Sequence, residues 1–509
     1  MQFYFQHILA QTKRHSASQN IHAIRNGEHC NVRLCGTQQP REAKRTISLR
    51  NIFRWRLRTD RLTSNVPCAV RFVLRNDCEN RNKHTEIKCQ GTTKLLLMLI
   101  FMGISLVGVA QSLSFPYPER KYDFVNYDSS VLYTPAGNPN LETFFNKLDH
   151  FYFDGDEGFT VLHLGDSHIQ AGVVSWCLRR HFESLCHDSH GDFGLLAPLS
   201  IAPKNNHPYY YVSRNSGNWE FERIIKNVTG TPIGLSGFVA FTKDSIASLT
   251  FAFPKRSMKE LHEFTKVKLI HDANDTCYDI FTNVDSLMVD CLTDFTEGYT
   301  EMVYSHSFDS LVFKFVRNVD SRSAEPIHIH GVLVDDSLPN VNFVTIGTNG
   351  ASTESYVREK LLLKQMNAVN PDLAIVALGV NDASGKNFDK GRFVQNYRKI
   401  IDAILDANPD CAIIFVSNND FCGYRTGHNH NQPLVVEAMK ELCNRYHSSL
   451  WNLYSVMGGS KSIYTWQKHG LANTDRIHFT SDGYILEGDL LFGAILREYE
   501  KHLKGEAEK

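Results

Sequence analysis

Three things are scarce in this sequence. Net charge is nearly absent, at −1 over 509 residues, which argues against a dedicated nucleic-acid binder. No two cysteines stand in C-x-x-C spacing, so nothing marks a zinc finger or ribbon. Long apolar runs are missing with one exception, the 16 uncharged residues from 95 to 110, L-L-L-M-L-I-F-M-G-I-S-L-V-G-V-A. A spanning helix wants about 20 apolar residues. This run suits a secretory h-region better, with Lys94 in front and Gly108 and Ala110 at the −3 and −1 positions of a cleavage site. Internal repeats and low-complexity tracts are also lacking.

What is present excludes disorder. A hydrophobic fraction of 42% with 21% charged residues, over this length, implies two or more packed domains. The near-zero charge is a cancellation: residues 1–94 carry 18 Lys and Arg against 6 Asp and Glu, and residues 95–509 carry 36 against 49. Residues 1–93 are rich in Arg, Asn, His and Gln, hold five cysteines and show no helical or strand period. The preferred reading is that translation begins near Lys94 or Met98 and that 1–93 is a basic leader outside the mature fold. The alternatives are a cytoplasmic tail ahead of a membrane anchor at 94–110, and a small zinc- or nucleic-acid-binding module, the weakest for want of C-x-x-C. Under the first two the rest of the chain is periplasmic or secreted, tethered to the membrane only if 94–110 stays uncleaved. No Cys follows Ala110, against lipoprotein processing. The seven later cysteines are too sparse for a disulfide scaffold; Cys277 and Cys291 could close one loop, but isolated buried thiols are the preferred reading.

Two textures follow residue 110. At about 155–194 and again at about 336–509, short β-rich apolar runs (161–164, 343–346, 373–378, 412–416, 450–453) alternate with amphipathic helical stretches (173–185, 356–366, 393–405, 434–446), so 111–194 and 336–509 are read as two parts of one domain. That alternation predicts βαβ units and a parallel sheet covered on both faces. Between 195 and 335 the helical period vanishes and strand-like pieces bounded by turn residues take over, which predicts an all-β sandwich set into the α/β domain.

The chemistry-bearing residues gather at predicted strand ends. Gly165, Asp166 and Ser167 follow the first strand and open a helix, where partial positive charge favours a developing oxyanion. Gly350 follows the second in T-I-G-T-N-G-A-S-T, and Gly379, Asn381 and Asp382 end the third. Asp475 stands three residues before His478 ahead of a C-terminal helix, spacing that lets a carboxylate orient an imidazole while its other nitrogen deprotonates a serine. Each piece alone is weak, since a lone Ser after a strand is more often a cap. Their order along one sheet rim is what points to a hydrolase.

These blocks, G-D-S-H at 165–168, N-G-A at 349–351, G-V-N-D at 379–382 and D-R-I-H at 475–478, resemble those of the SGNH (GDSL-like) hydrolases. The resemblance spans about 155–194 and 336–500. It implies a flavodoxin-like three-layer α/β/α sandwich, with Ser167 as nucleophile, His478 as base and Asp475 as its orienter. The backbone N–H groups of Ser167 and Gly350 and the Asn381 amide would form the oxyanion hole; no metal or cofactor is implied. His168 replaces the Leu of many members. Gly191 and Gly194 rival Gly350, which is preferred for its strand-end context. The architecture is similar to the peptidoglycan O-acetylesterase branch, which carries an inserted carbohydrate-binding-like β-sandwich. It implies an exported serine esterase acting on O-acetylated glycan, without nucleic acid as partner. Competing readings are lipase, thioesterase or acetyltransferase on the same triad, and a catalytically idle carbohydrate-binding surface protein.

Other candidates carry their plainer readings. His163 reads as a packed strand residue, and His328 and His330 share one strand face, a metal pair being disfavoured there for want of a clear third ligand. The loop at 427–432, G-H-N-H-N-Q, reads equally as a substrate-facing edge or a plain polar loop. Trp219 and Tyr209, Tyr210 and Tyr211 read as core before sugar platform, and Asp382 as a stabiliser of its own turn.

Overall fold

The computed structural model describes residues 117–505 except 187–190, 203–207, 209, 254–262, 273–276, 319–324, 337–339 and 424–426. The basic leader, the apolar run at 95–110 and Tyr209 lie outside them. No helix among the described residues is long and apolar enough to cross a membrane.

A seven-stranded sheet organises the α/β part. Its strands are β1 (Leu132–Tyr133), β2 (Phe159–Gly165), β3 (Gly191–Asp192), β4 (Val341–Gly347), β5 (Leu373–Ala377), β6 (Ala412–Val416) and β7 (Ser449–Trp451), in the order β1-β7-β6-β5-β2-β4-β3. All pair in parallel except β1, which runs antiparallel to β7. With the edge strands β1 and β3 set aside, the order is that of the flavodoxin-like sheet, whose chain path reverses beside its first strand. Here that strand is β2.

Both faces of the sheet are covered, as near-continuous apolar strands require. On one side Phe159 and Val161 of β2 share a core with α1 (Pro139–Asp149), α3 (Val173–Glu183) and α7 (Ser481–Leu503). On the other, Leu162 and Leu164 pack with α5 (Lys390–Ala407) and α6 (Gln432–Tyr446). Two short helices complete the frame: α2 (Ser167–Gln170) and α4 (Thr353–Arg358). This is a three-layer α/β/α sandwich, the layering that the resemblance implies. The helical period at 356–366 is interrupted, because Glu359 leaves the helical region (φ −94°, ψ 89°) and separates α4 from the helix Lys360–Gln365.

Between β3 and β4 the chain forms two antiparallel sheets. One orders Tyr278–Thr282, Ser310–Arg317, Ile246–Ala252 and Val212–Ser216; the other orders Met288–Asp294, Tyr299–Phe308, Phe264–His271, Ile327–Asp335, Phe238–Thr242 and Glu220–Arg223, with Leu195–Leu196 beside Ile327–Asp335. Leu249, Phe251 and Phe313 from the first sheet meet Val267, Leu269 and Ile329 from the second in a shared core. Cys277 is buried in that core and Cys291 is exposed, so the proposed loop-closing pair is split between two environments.

Candidate active site

Register assembles the site. Gly165 of β2 pairs with Gly347 of β4 on one side and Ala377 of β5 on the other. The residues that follow each strand, 166–168, 348–351 and 378–382, therefore emerge side by side at one rim. Gly191 of β3 pairs with Val341, at the start of β4, and Gly194 donates its N–H to Phe343 O at 3.2 Å. Both rival glycines thus lie away from that rim.

Asp166 caps α2, its Oδ1 accepting the His168 N–H at 3.0 Å, and Ser167 is the first helical residue. The helix sits directly on β4: a Cβ added at Gly347 would lie 2.4 Å from the Gln170 backbone nitrogen.

His478 Nε2 lies 2.9 Å from Ser167 Oγ, and its Nδ1 lies 2.7 Å from Asp475 Oδ2. The other Asp475 oxygen accepts the backbone N–H groups of Ile477 and His478 at 2.9 and 3.0 Å. Although partial burial opposes it, these hydrogen bonds hold the carboxyl below its usual range, the His478 ring being the largest stabiliser. The turn needs Arg476 in the left-handed region, φ 57°, a conformation that costs a side-chain-bearing residue energy. Neighbours fix it there: Cys422 N–H donates to Arg476 O at 2.8 Å, Arg476 Nε donates to Gln467 Oε1 at 2.9 Å, and Asn419 Nδ2 donates to Ile477 O at 2.7 Å.

Among the described residues, the backbone N–H groups of Ser167 and Gly350 have no protein acceptor, whereas those of Asn349 and Ala351 go to Gln170 Oε1 and Thr348 O. Gly350 holds φ 79°, a turn that turns on glycine's missing Cβ. Asn381 Nδ2 donates to Ala351 O at 2.8 Å and to Asp166 Oδ2 at 3.2 Å, so an incoming oxyanion competes with Asp166 for one amide hydrogen. Asp382 does not close its own turn alone, as read from the sequence. It accepts from the Thr353 backbone N–H and hydroxyl at 3.1 and 2.5 Å, tying the Asn381 loop to α4.

Beneath these groups lies a buried polar layer. Burial, reinforced by the Asp382 charge and opposed by the His168 N–H, pushes the Asp166 carboxyl up to about 7. The buried His168 imidazole is pushed down to about 3, so it is neutral; its ring centroid lies 5.1 Å from that of His478, and its Nδ1 is 3.2 Å from Tyr484 Oη. On α7, Glu487 is buried with no hydrogen-bond partner for Oε2 among the described residues, and burial with the Asp166 charge raises it to about 8. Sequence reading passed over Tyr484 and Glu487. A helix-start tyrosine and a lone acid inside an apolar helix face are the only signals they leave.

The remaining candidates fall elsewhere. His163 Nδ1 meets Ser175 Oγ at 2.9 Å inside the core and is neutral, pushed down to about 3 by burial. His328 and His330 both face Asp272, at 2.5 and 2.8 Å, and His330 Nδ1 accepts the Gly234 N–H; the pair brackets a carboxylate. The 427–432 loop is a brace with Gly427 and His430 exposed and Asn429 and Asn431 buried: His428 Nε2 meets Asp420 Oδ1 at 2.8 Å, while Asn429 and Asn431 donate to Ala383 O at 2.6 and 3.0 Å. Tyr210 and Tyr211 are core residues, and Trp219 packs on Phe315.

Residues 322–486 match the model of the GDSL-like Lipase/Acylhydrolase family. The matched stretch is similar to a GDSL-like acylhydrolase domain. That match takes in Gly350, Asn381, Asp475 and His478 together with the sheet strand Ile327–Asp335, while the G-D-S-H block with Ser167 lies upstream of it, beyond the other strands of the two antiparallel sheets. A solved structure entitled peptidoglycan O-acetylesterase in action is similar over 73% of this chain and 99% of its own, with a TM-score of 0.59 at 18% identity. Likeness at that identity is likeness of fold. Partial overlaps, with TM-scores of 0.25, are found with a lipase/acylhydrolase from Enterococcus faecalis (22% identity, 33% of this chain and 78% of that one) and an acetylxylan esterase from Geobacillus stearothermophilus (15% identity, 31% and 73%). No curated protein sequence matches this chain.

Proposed function

We propose that this chain is an exported serine esterase that removes O-acetyl groups from a carbohydrate, peptidoglycan being the first candidate. The observation that carries the esterase reading is the unbroken line Ser167–His478–Asp475, at 2.9 and 2.7 Å. Ser167 Oγ attacks the acetyl carbonyl as His478 Nε2 takes its proton. The oxyanion settles against the N–H groups of Ser167 and Gly350, with the Asn381 amide turning to it from Asp166. The sugar oxygen leaves with the proton returned by His478, and water, deprotonated by the same imidazole, releases acetate. Asp475 orients the ring and offsets its transient charge.

The glycan and cell-wall part of the reading rests on the shared architecture with the peptidoglycan O-acetylesterase structure, which this chain matches over nearly that protein's whole length. In this reading the two antiparallel sheets at 195–335 are an inserted β-sandwich that presents the polymer to the rim. Export rests on the apolar run at 95–110 and its small-residue cleavage pattern.

The test compares wild type with Ser167→Ala on a chromogenic acetyl ester and then on O-acetylated peptidoglycan and xylan. Acetate release by wild type alone is expected, with peptidoglycan preferred. Equal rates in the two proteins would overturn the nucleophile, and preference for long acyl chains would overturn the acetyl-glycan reading.

A further inference from the structure

On the side of the sheet where α3 packs against α7, three donor side chains converge outside the Ser167 rim. Cys177 and His181 stand at i and i+4 on α3 and so share one helix face. Asp489 faces them from α7. Its Oδ1 lies 3.2 Å from Cys177 Sγ and 2.7 Å from His181 Nε2, and the donor atoms of all three lie within 4.8 Å of one another. The His181 ring is stacked on Phe492, with centroids 4.6 Å apart and planes 9° apart, which aims Nε2 at the cluster. Cys177 is buried, whereas the side chains of His181 and Asp489 are 27% and 32% exposed, so the cluster opens to solvent on one side.

We propose that Cys177, His181 and Asp489 form a binding site for a divalent transition metal of the zinc class, pinning α3 to α7. The donor set is one thiolate, one imidazole and one carboxylate, the mixed S/N/O chemistry that borderline-soft zinc accepts, and the solvent side leaves a fourth position for water. Tetrahedral zinc holds such donors ~2.0–2.3 Å from the ion, which sets them roughly 3.3–3.8 Å apart. The present 2.7 and 3.2 Å separations are hydrogen bonds to Asp489; a rotamer adjustment of about half an ångström opens them. The exchange balances simply. The cation enters, the Cys177 thiol proton leaves to solvent, and the His181 proton resides on Nδ1 while Nε2 supplies its lone pair. Without a cation the thiol keeps its proton, because burial and the Asp489 charge push it well above the usual thiol range.

The position gives the site a consequence. Helix α3 follows the Ser167 turn and α7 follows the His478 loop, so a metal here would fasten together the elements carrying those two side chains.

The experiment is a Co²⁺ titration of the full-length, reduced, metal-free protein. Expected are one equivalent bound, a thiolate-to-cobalt band in the near ultraviolet, and tetrahedral d–d bands. In Cys177→Ser the thiolate band should vanish and affinity should fall roughly tenfold or more. His181→Gln should keep the band at saturating Co²⁺ but weaken affinity similarly, which covers the case of a Ser variant that fails to fold. Zn²⁺ should raise the melting temperature of wild type and of Ser167→Ala, but not of Cys177→Ser. Absence of a thiolate band at one equivalent, or the same band in Cys177→Ser, would overturn the site.

Discussion

Asn381 already spends both amide hydrogens, one on Ala351 O and one on Asp166. A transition state must draw one of them away, so its contribution is to kcat more than to substrate binding. Asn381→Ala should lower kcat ~10²–10³-fold with KM changed little, as removal of one oxyanion donor does; steady-state kinetics on an acetyl ester would check it. Glu487 makes a different prediction. Its ordinary pKa of 4.5 rises to about 8 in the fold, so between those values the folded chain keeps a proton that the unfolded chain has lost. Stability therefore falls as pH climbs from about 4.5 to 8. Glu487→Gln, uncharged at every pH, should flatten that slope, gaining on wild type as pH rises toward 9; melting temperatures from pH 5 to 9 would show it. At this scale the sequence discloses the residues that react and hides those that hold them. Ser167, Asp475 and His478 announce themselves by residue type and place. Asn419 does not, and Asp382 shows only as a turn residue, because bracing a distant loop leaves no mark on local pattern.

Elements decide how accurately those side chains meet. Helix α2 rests on the end of β4 with no space for a Cβ at Gly347, so Gly347→Ala must displace the helix that begins with Ser167. A shift of about 1 Å at a reacting group can cost ~10²-fold. We expect a fall in kcat of that order, with the fold retained by circular dichroism. The parallel strands are legible in sequence because each is buried on both faces and reads as an unbroken apolar run. Met288–Asp294 and Tyr278–Thr282 are not. The first has a largely exposed face pattern and the second alternates buried and exposed sites with an Asp inside it, so neither presents an apolar run. The break at Glu359 likewise lies inside an intact helical period, which periodicity alone cannot register.

At the scale of the whole molecule, the α/β sandwich is interrupted in sequence but continuous in space: β2 and β4 are neighbours in the sheet although both antiparallel sheets lie between them along the chain. Under the export reading, N-terminal sequencing of the native protein should begin at Gln111. An intact residue 1 would favour the tethered alternative. The same interruption has a kinetic meaning. The bond from Ser167 to His478 spans 311 residues, among the last contacts a chain can close, since long loops must be ordered before such contacts repay their entropy. Enzyme activity should accordingly return later than secondary structure when the denatured chain is diluted into buffer. Ser167 therefore stays without its base until the last elements of the chain have docked, so on the proposed function a chain still being exported would be inert.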